Sequence, residues 1–144
     1  MSIEEKLAIH EVIARYSYTY DGLDAEGFAE VFAEDGVFEV FVQGRSRPSV
    51  RLQSRTEIRE WAAGRLRGRA GRFTSRHHQS GTLFDRLTSD SAVTRTMVLV
   101  THQHAAEATP RLTLSGVYQD QWRKMGQTWQ LAHRAAHVDQ ELGS

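Results

Sequence analysis

The sequence predicts an α+β fold: N-terminal helices packed in the concave side of a strongly curved, mostly antiparallel sheet, together a cone-shaped α+β barrel. Three observations predict it. Apolar residues recur at three- and four-residue spacing near the start, period-two alternation takes over from residue 73, and the strand-like stretches beyond are joined by the turn-forming segments "TSDS", "AAEATP" and "KMGQ".

Ser2 and Glu5 form a capping box ahead of Ile9, Val12, Ile13, Tyr16 and Tyr20, so an amphipathic helix is expected to about residue 20, with Gly22 as its left-handed stop. Asp24 caps a second short helix whose buried side is Phe28, Val31 and Phe32. "GVFEVFVQG" (36–44) reads as a strand and "RSRPSVRLQ" as a loop. Ser54 and Glu57 form another capping box, opening a helix through Trp61 and Leu66 that should stop near the glycines at 68 and 71. Four strands are then expected, at about 73–87, 92–104, 111–124 and 128–139. Lengths of up to about 15 residues, where 5 to 6 is usual, imply strong curvature, with Gly81 a candidate bulge. The open end of such a cone is a natural ligand pocket. No repeats, linkers or low-complexity segments interrupt the chain, and a single domain over residues 1–144 is expected.

With 144 residues the chain can bury roughly 70% of the surface its unfolded form exposes. It has no cysteine, which excludes disulfides and thiolate metal sites and fits a reducing compartment. "MSIEEKLAIH" is charged from its fourth residue, and no apolar run approaches the roughly 20 residues of a membrane span; a soluble cytoplasmic protein is expected. Charge is balanced overall but segregated: residues 1–40 hold ten acids against Lys6 and Arg15, a net of −8, and residues 45–76 hold ten arginines against Glu57 and Glu60, a net of +8. Two oppositely charged elements of one domain explain this more simply than a nucleic-acid surface, because only Trp61 and Phe73 could stack on bases.

Asp21 raises the chemical question. Tyr20 continues the buried stripe of the first helix, and Asp21 sits beside it at the carboxyl end, where exposed carbonyls repel a carboxylate. Either Asp21 belongs to a solvated "DG" turn, or a cation or donor compensates it. Histidines later in the chain could do so. Strand alternation sends His77 and His78 of "SRHHQSG" to opposite faces, with the phase open by one residue, while Val98, Val100, His102 and His104 share a face. His102 and His104 with His77 would also permit a metal, although their spacing is not specific for one; His133 and His137 lie in what reads as a closing strand. There is no Walker loop, no dinucleotide fingerprint, no nucleophile elbow and no cysteine nucleophile.

The order "YSYTYDGLDAEGFAEVFAEDGVFEV", "SRHHQSG" and "TWQLAHR" resembles the SnoaL-like branch of the nuclear-transport-factor-two-like superfamily over nearly the whole chain. That resemblance implies the cone fold, which hosts lyases, isomerases, cyclases and plain binders alike. Within the superfamily the scytalone dehydratases are the nearest functional analogy, and similarity carries their catalytic set onto Tyr20, Asp21, His77 and His102. Two departures follow from the same comparison: Val40 stands where a second carbonyl-orienting tyrosine would fall, and Gly116 and Tyr118 stand near the serine and asparagine of the third long strand.

The implied activity is general acid/base catalysis without cofactor or metal, a dehydratase or isomerase acting on a small hydrophobic cyclic carbonyl compound. His77 would be the base, Tyr20 the carbonyl polariser, and Asp21 the carboxylate that orients and charges His102, the acid for the departing hydroxyl. Tyr16, Phe28, Phe41, Trp61, Val100 and Tyr118 are the expected pocket lining. The alternative is a non-catalytic ligand-binding or accessory domain of the same fold. No nucleic-acid or membrane partner is expected, and homo-oligomerisation is, because the convex sheet face would otherwise expose much surface; Tyr118, Trp122 and Trp129 are candidates for core or interface.

Overall fold

In the computed structural model, which describes residues 2–139, Ser2 caps α1 (Ile3–Asp21): its Oγ accepts the Glu5 N–H at 3.1 Å. Residues 1 and 140–144 of the expected domain lie outside the described residues. The Glu5 carboxylate leaves the capping box open and crosses the fold, accepting from Lys124 Nζ at 2.8 Å and from the indole N–H of Trp129. The helix end differs from expectation. Gly22 has φ −86°, and the left-handed residue is Leu23 at φ 63°. Glycine suits position 22 because a Cβ there would approach the Tyr18 carbonyl oxygen to 2.7 Å. The turn at Leu23 lets the Asp24 N–H reach the Thr19 carbonyl at 2.8 Å, and Asp24 then caps α2 (Ala25–Glu30) through Gly27 N–H at 2.9 Å.

Phe32 opens β1 (Phe32–Val42) instead of closing the second helix. The stretch expected as a loop contains a short strand, β2 (Val50–Leu52), because alternating Val50, Arg51 and Leu52 can pair with the free edge of β1. Ser54 caps α3 (Arg55–Arg67), and the remaining strands are β3 (Phe73–Leu87), β4 (Ser91–His104), β5 (Arg111–Met125) and β6 (Thr128–Val138). The sheet order is β2-β1-β6-β5-β4-β3; every pair is antiparallel except β1 with β6. Gly81, at φ 65°, stands where the β3–β4 register slips between Ser80 and Leu83, the bulge expected there.

Alternation sorts the sheet into two faces. On β4 the residues Ala92, Thr94, Thr96, Val98 and Val100 are buried against the helices, and Val93, Met97 and Leu99 are exposed on the other side. Phe28, Phe32, Ile58 and Leu131 are fully buried between helices and sheet, each contributing about 1.5–3 kcal/mol by removal from water. Tyr118, Trp122 and Trp129 belong to this core, and Trp122 satisfies its indole N–H on Thr94 Oγ1 at 2.8 Å. No helix of the described residues is long and apolar enough to cross a membrane.

Candidate active site

Asp21 ends α1, and β3, the edge strand, passes beside it. Strand phase sends Ser75, His77 and Gln79 toward the helices and leaves His78 exposed, where it meets Thr101 Oγ1 at 3.2 Å. The Asp21 carboxylate takes three donors from this strand: Oδ1 accepts the Ser75 hydroxyl and His77 Nδ1 at 2.7 Å each, and Oδ2 accepts the His77 main-chain N–H at 2.8 Å. An edge strand has main-chain donors with no neighbouring strand to receive them, and here a carboxylate takes the place of that neighbour. The side chains of Asp21 and His77 are only 6% and 12% exposed.

The electrostatics follow from this contact. Burial alone pushes the Asp21 carboxyl up, but the hydrogen bonds and charge of His77 and the Ser75 hydroxyl outweigh it, and the group lies below the usual carboxylate range. An ionised carboxylate only accepts, so His77 Nδ1 carries a proton, and in the neutral ring the lone pair lies on Nε2.

Around this pair the aromatic residues of α1 close in. The Tyr20 and Tyr16 rings stand edge-on to His77, at centroid distances of 5.0 and 6.1 Å. The Tyr20 hydroxyl accepts from Arg65 Nε at 3.3 Å, and the Arg69 guanidinium covers the Tyr20 ring at 5.1 Å. Val100 lies opposite His77 on β4 and faces the interior with it.

His102 departs from its expected role. It lies opposite Ser75 on β4, but its ring packs on Phe73 at 4.4 Å instead of meeting Asp21, whose oxygens are engaged by Ser75 and His77. Burial, with the neighbouring Arg69 charge, lowers its pKa to about 4. His102 is therefore a neutral imidazole near neutral pH, not an imidazolium charged by Asp21. His104 packs on the same Phe73 ring at 5.1 Å. Among the described residues no three His, Cys, Asp or Glu are grouped to hold a metal ion.

Of the expected lining, Tyr16, Phe28, Trp61, Val100 and Tyr118 belong to or pack against the interior core. Phe41 does not. Phe38 faces inward, so alternation turns Val40 inward and Phe41 outward, where its ring stacks on His137 at 5.1 Å beside a cleft of 410 Å³. His133 also faces outward, to Glu39 at 2.6 Å. Another cleft, of 470 Å³, runs between α1 and β3, bordered by His10, Ser17, Tyr18 and His77.

Three features escaped the sequence reading. Ser75, two residues before His77, shares its face, and period-two spacing could have found it. Arg65 and Arg69 reach Tyr20 from α3 and the turn after it. Arg134, in "TWQLAHR", is completely buried: Nε and Nη2 bond Asp120 at 2.8 Å each, and its guanidinium lies between the rings of Tyr16 and Tyr118 at 4.2 and 3.9 Å. Burial raises both phenols above their ordinary value, against the pull of Arg134, so both remain O–H donors.

The chain matches the SnoaL-like domain family over residues 1–135. Rv3472, a protein of unknown function from Mycobacterium tuberculosis, is 32% identical, with a TM-score of 0.78, over 94% of this chain and 72% of that one. A candidate scytalone dehydratase from Novosphingobium aromaticivorans is 25% identical, with a TM-score of 0.77, over 94% of this chain and 85% of that one. A protein of unknown function with a cystatin-like fold from Nostoc punctiforme is 25% identical, with a TM-score of 0.79, over 96% of this chain and 94% of that one. No curated protein matches the chain.

Proposed function

The chain belongs to the SnoaL-like domain family, and from that premise we propose that it is a general acid/base lyase or isomerase acting on a cyclic carbonyl compound, with Asp21 and His77 as its catalytic pair. The observation that carries this reading is the triple attachment of Asp21 to β3, which orients the His77 ring and puts the lone pair of its neutral form on Nε2. The similarity to a candidate scytalone dehydratase supports the same direction.

In this mechanism His77 Nε2 removes the proton α to the substrate carbonyl, and Asp21 stabilises the imidazolium that forms. Tyr20, whose hydroxyl oxygen already accepts from Arg65, donates its O–H to the carbonyl oxygen as enolate charge develops. The C–O bond to the β-hydroxyl then breaks, the proton on Nε2 goes to the departing oxygen, and water and a conjugated enone leave. Return of that proton to a different carbon gives an isomerase with the same groups. Because His102 is neutral, the acid step falls to His77 itself, and His102 keeps a place at the site as a neutral polar side chain.

The test is absorbance at the conjugated-enone band with a panel of cyclic β-hydroxy ketones, wild type beside Asp21→Asn and His77→Gln. A catalysed rise that both substitutions abolish supports the dehydratase. Compounds that raise the melting temperature without any turnover would favour the accessory or binding-domain reading.

We also propose that the chain forms homo-oligomers through its outer sheet face. Leu83, Val93, Met97, Leu99 and Leu112 are all exposed large hydrophobics, and strand register gathers them on that face of β3, β4 and β5.

A further inference from the structure

We infer that the substrate carries an oxyanion, a carboxylate or a phosphoryl group, held at the rim of the site by Arg69 and Arg65; this rests on the reading of the cone as a site for a ring-containing carbonyl compound. The charge of the sequence is segregated, acidic in residues 1–40 and basic in residues 45–76. If the basic segment merely balanced the acidic one, its arginines would be paired with carboxylates. Of the ten arginines in residues 45–76, only Arg51 and Arg59 make ion pairs among the described residues, with Glu39 and Glu26. Arg65, Arg67, Arg69, Arg72 and Arg76 make none, and they follow one another from the end of α3 into the start of β3.

Arg69 is the informative one. Its guanidinium is held between the rings of Tyr20 and Phe73, at 5.1 and 5.2 Å, and its Nη1 is buried without a hydrogen-bond partner among the described residues. A buried donor with no acceptor is destabilising, and a buried charge with no counter-charge more so. The nearest carboxylate, Asp21, is already committed to Ser75 and His77. A water could satisfy the Nη1 donor but would bring no counter-charge to this half-buried guanidinium. Burial disfavours the charged form of Arg69; Tyr20 and Asp21 favour it and Arg65 disfavours it, with burial prevailing. An oxyanion would supply both an acceptor and a counter-charge, and a guanidinium fork matches carboxylate and phosphate oxygens. Arg65, its guanidinium over the Trp61 ring at 5.1 Å, meets the same tyrosine at the hydroxyl through Nε. The anionic group would therefore lie beside the tyrosine that polarises the carbonyl, and the hydrophobic ligand expected from the sequence becomes an amphipathic one.

The experiment measures the affinity of the whole protein for three probes that share one ring system: naphthoate, naphthyl phosphate and the neutral acetonaphthone. At low salt at least one anion should bind on the order of tenfold tighter than the ketone, and which one it is separates a carboxylate from a phosphoryl substrate. The preference should shrink in about 0.5 M salt. Arg69→Gln should abolish most of it, read as the ratio of anion to ketone affinity, and Arg69→Met provides the same reading if the first variant fails to fold. Equal or tighter binding of the ketone, a preference that survives both substitutions, or no binding of any probe would overturn the inference. Failure of the catalytic reading looks different: no turnover with any hydroxy ketone, but an anion preference that still depends on Arg69.

Discussion

Asp21 and His77 are joined twice, through the ring Nδ1 at 2.7 Å and through the main-chain N–H at 2.8 Å. The second attachment matters as much as the first, because it ties the carboxylate to the backbone of the strand that carries the ring. Replacing Asp21 with Asn keeps the size but puts an N–H₂ where a second acceptor is needed. Turnover in Asp21→Asn should fall by about 10²–10⁴, the worth of a positioned base, with most of the loss in kcat. Unchanged kcat in a folded variant would remove Asp21 from the mechanism.

The stability of the fold should fall with acid in two stages. His102 has a folded pKa of about 4, below its ordinary 6.5, so the unfolded chain binds the proton first. Its contribution is complete above pH 6.5 and is lost as pH falls toward about 4. The Asp21 carboxyl, also lowered, adds its own loss as pH falls from its ordinary value of 3.8 through its folded one. Denaturant titrations across this range should show a shallower slope between pH 6.5 and 4 for His102→Asn than for wild type. An unchanged slope would mean that His102 is solvated.

Arg134 and Asp120 have fully buried side chains, and among the described residues each is the other's only ion-pair partner. Arg134→Met should destabilise by about 3–5 kcal/mol because it leaves a buried carboxylate unpaired. The double variant Arg134→Met with Asp120→Leu should recover much of that loss. Additive effects in a double-mutant cycle would show that the pair is not coupled.

Met97 and Leu99 stand on the outer face of β4, 55% and 46% exposed. Sedimentation of the wild type should give a mass above that of one chain, and Met97→Glu should lower it to one chain, with the melting curve of the isolated fold little changed. A monomeric wild type would refute the outer-face assembly.

Much of the fold was legible in the sequence because its elements announce themselves locally. Ser2, Asp24 and Ser54 each cap the helix they were expected to cap, and Gly81 marks the bulge. The errors lie where a neighbour in space decides. Val50 and Leu52 become a strand only because β1 offers an edge, and Phe41 faces outward because the phase of β1 is set by its pairing with β6. Leu23 takes the left-handed turn because Gly22 is already needed for a close approach to Tyr18.

The sequence by itself determined that this is an α+β cone with a carboxylate at the end of its first helix and histidines on two later strands, because capping, alternation and helical spacing are local properties of the chain. Only the tertiary structure decided which histidine that carboxylate holds. His77, His78 and His102 are equivalent as residue types; strand phase turns His77 inward, an unpartnered edge N–H draws Asp21 to it, and Phe73 takes His102 out of reach. The same holds for the arginines. Their charge was plain in the composition, but the lack of ion pairs at Arg65 and Arg69 among the described residues follows from packing, which placed them against Tyr20.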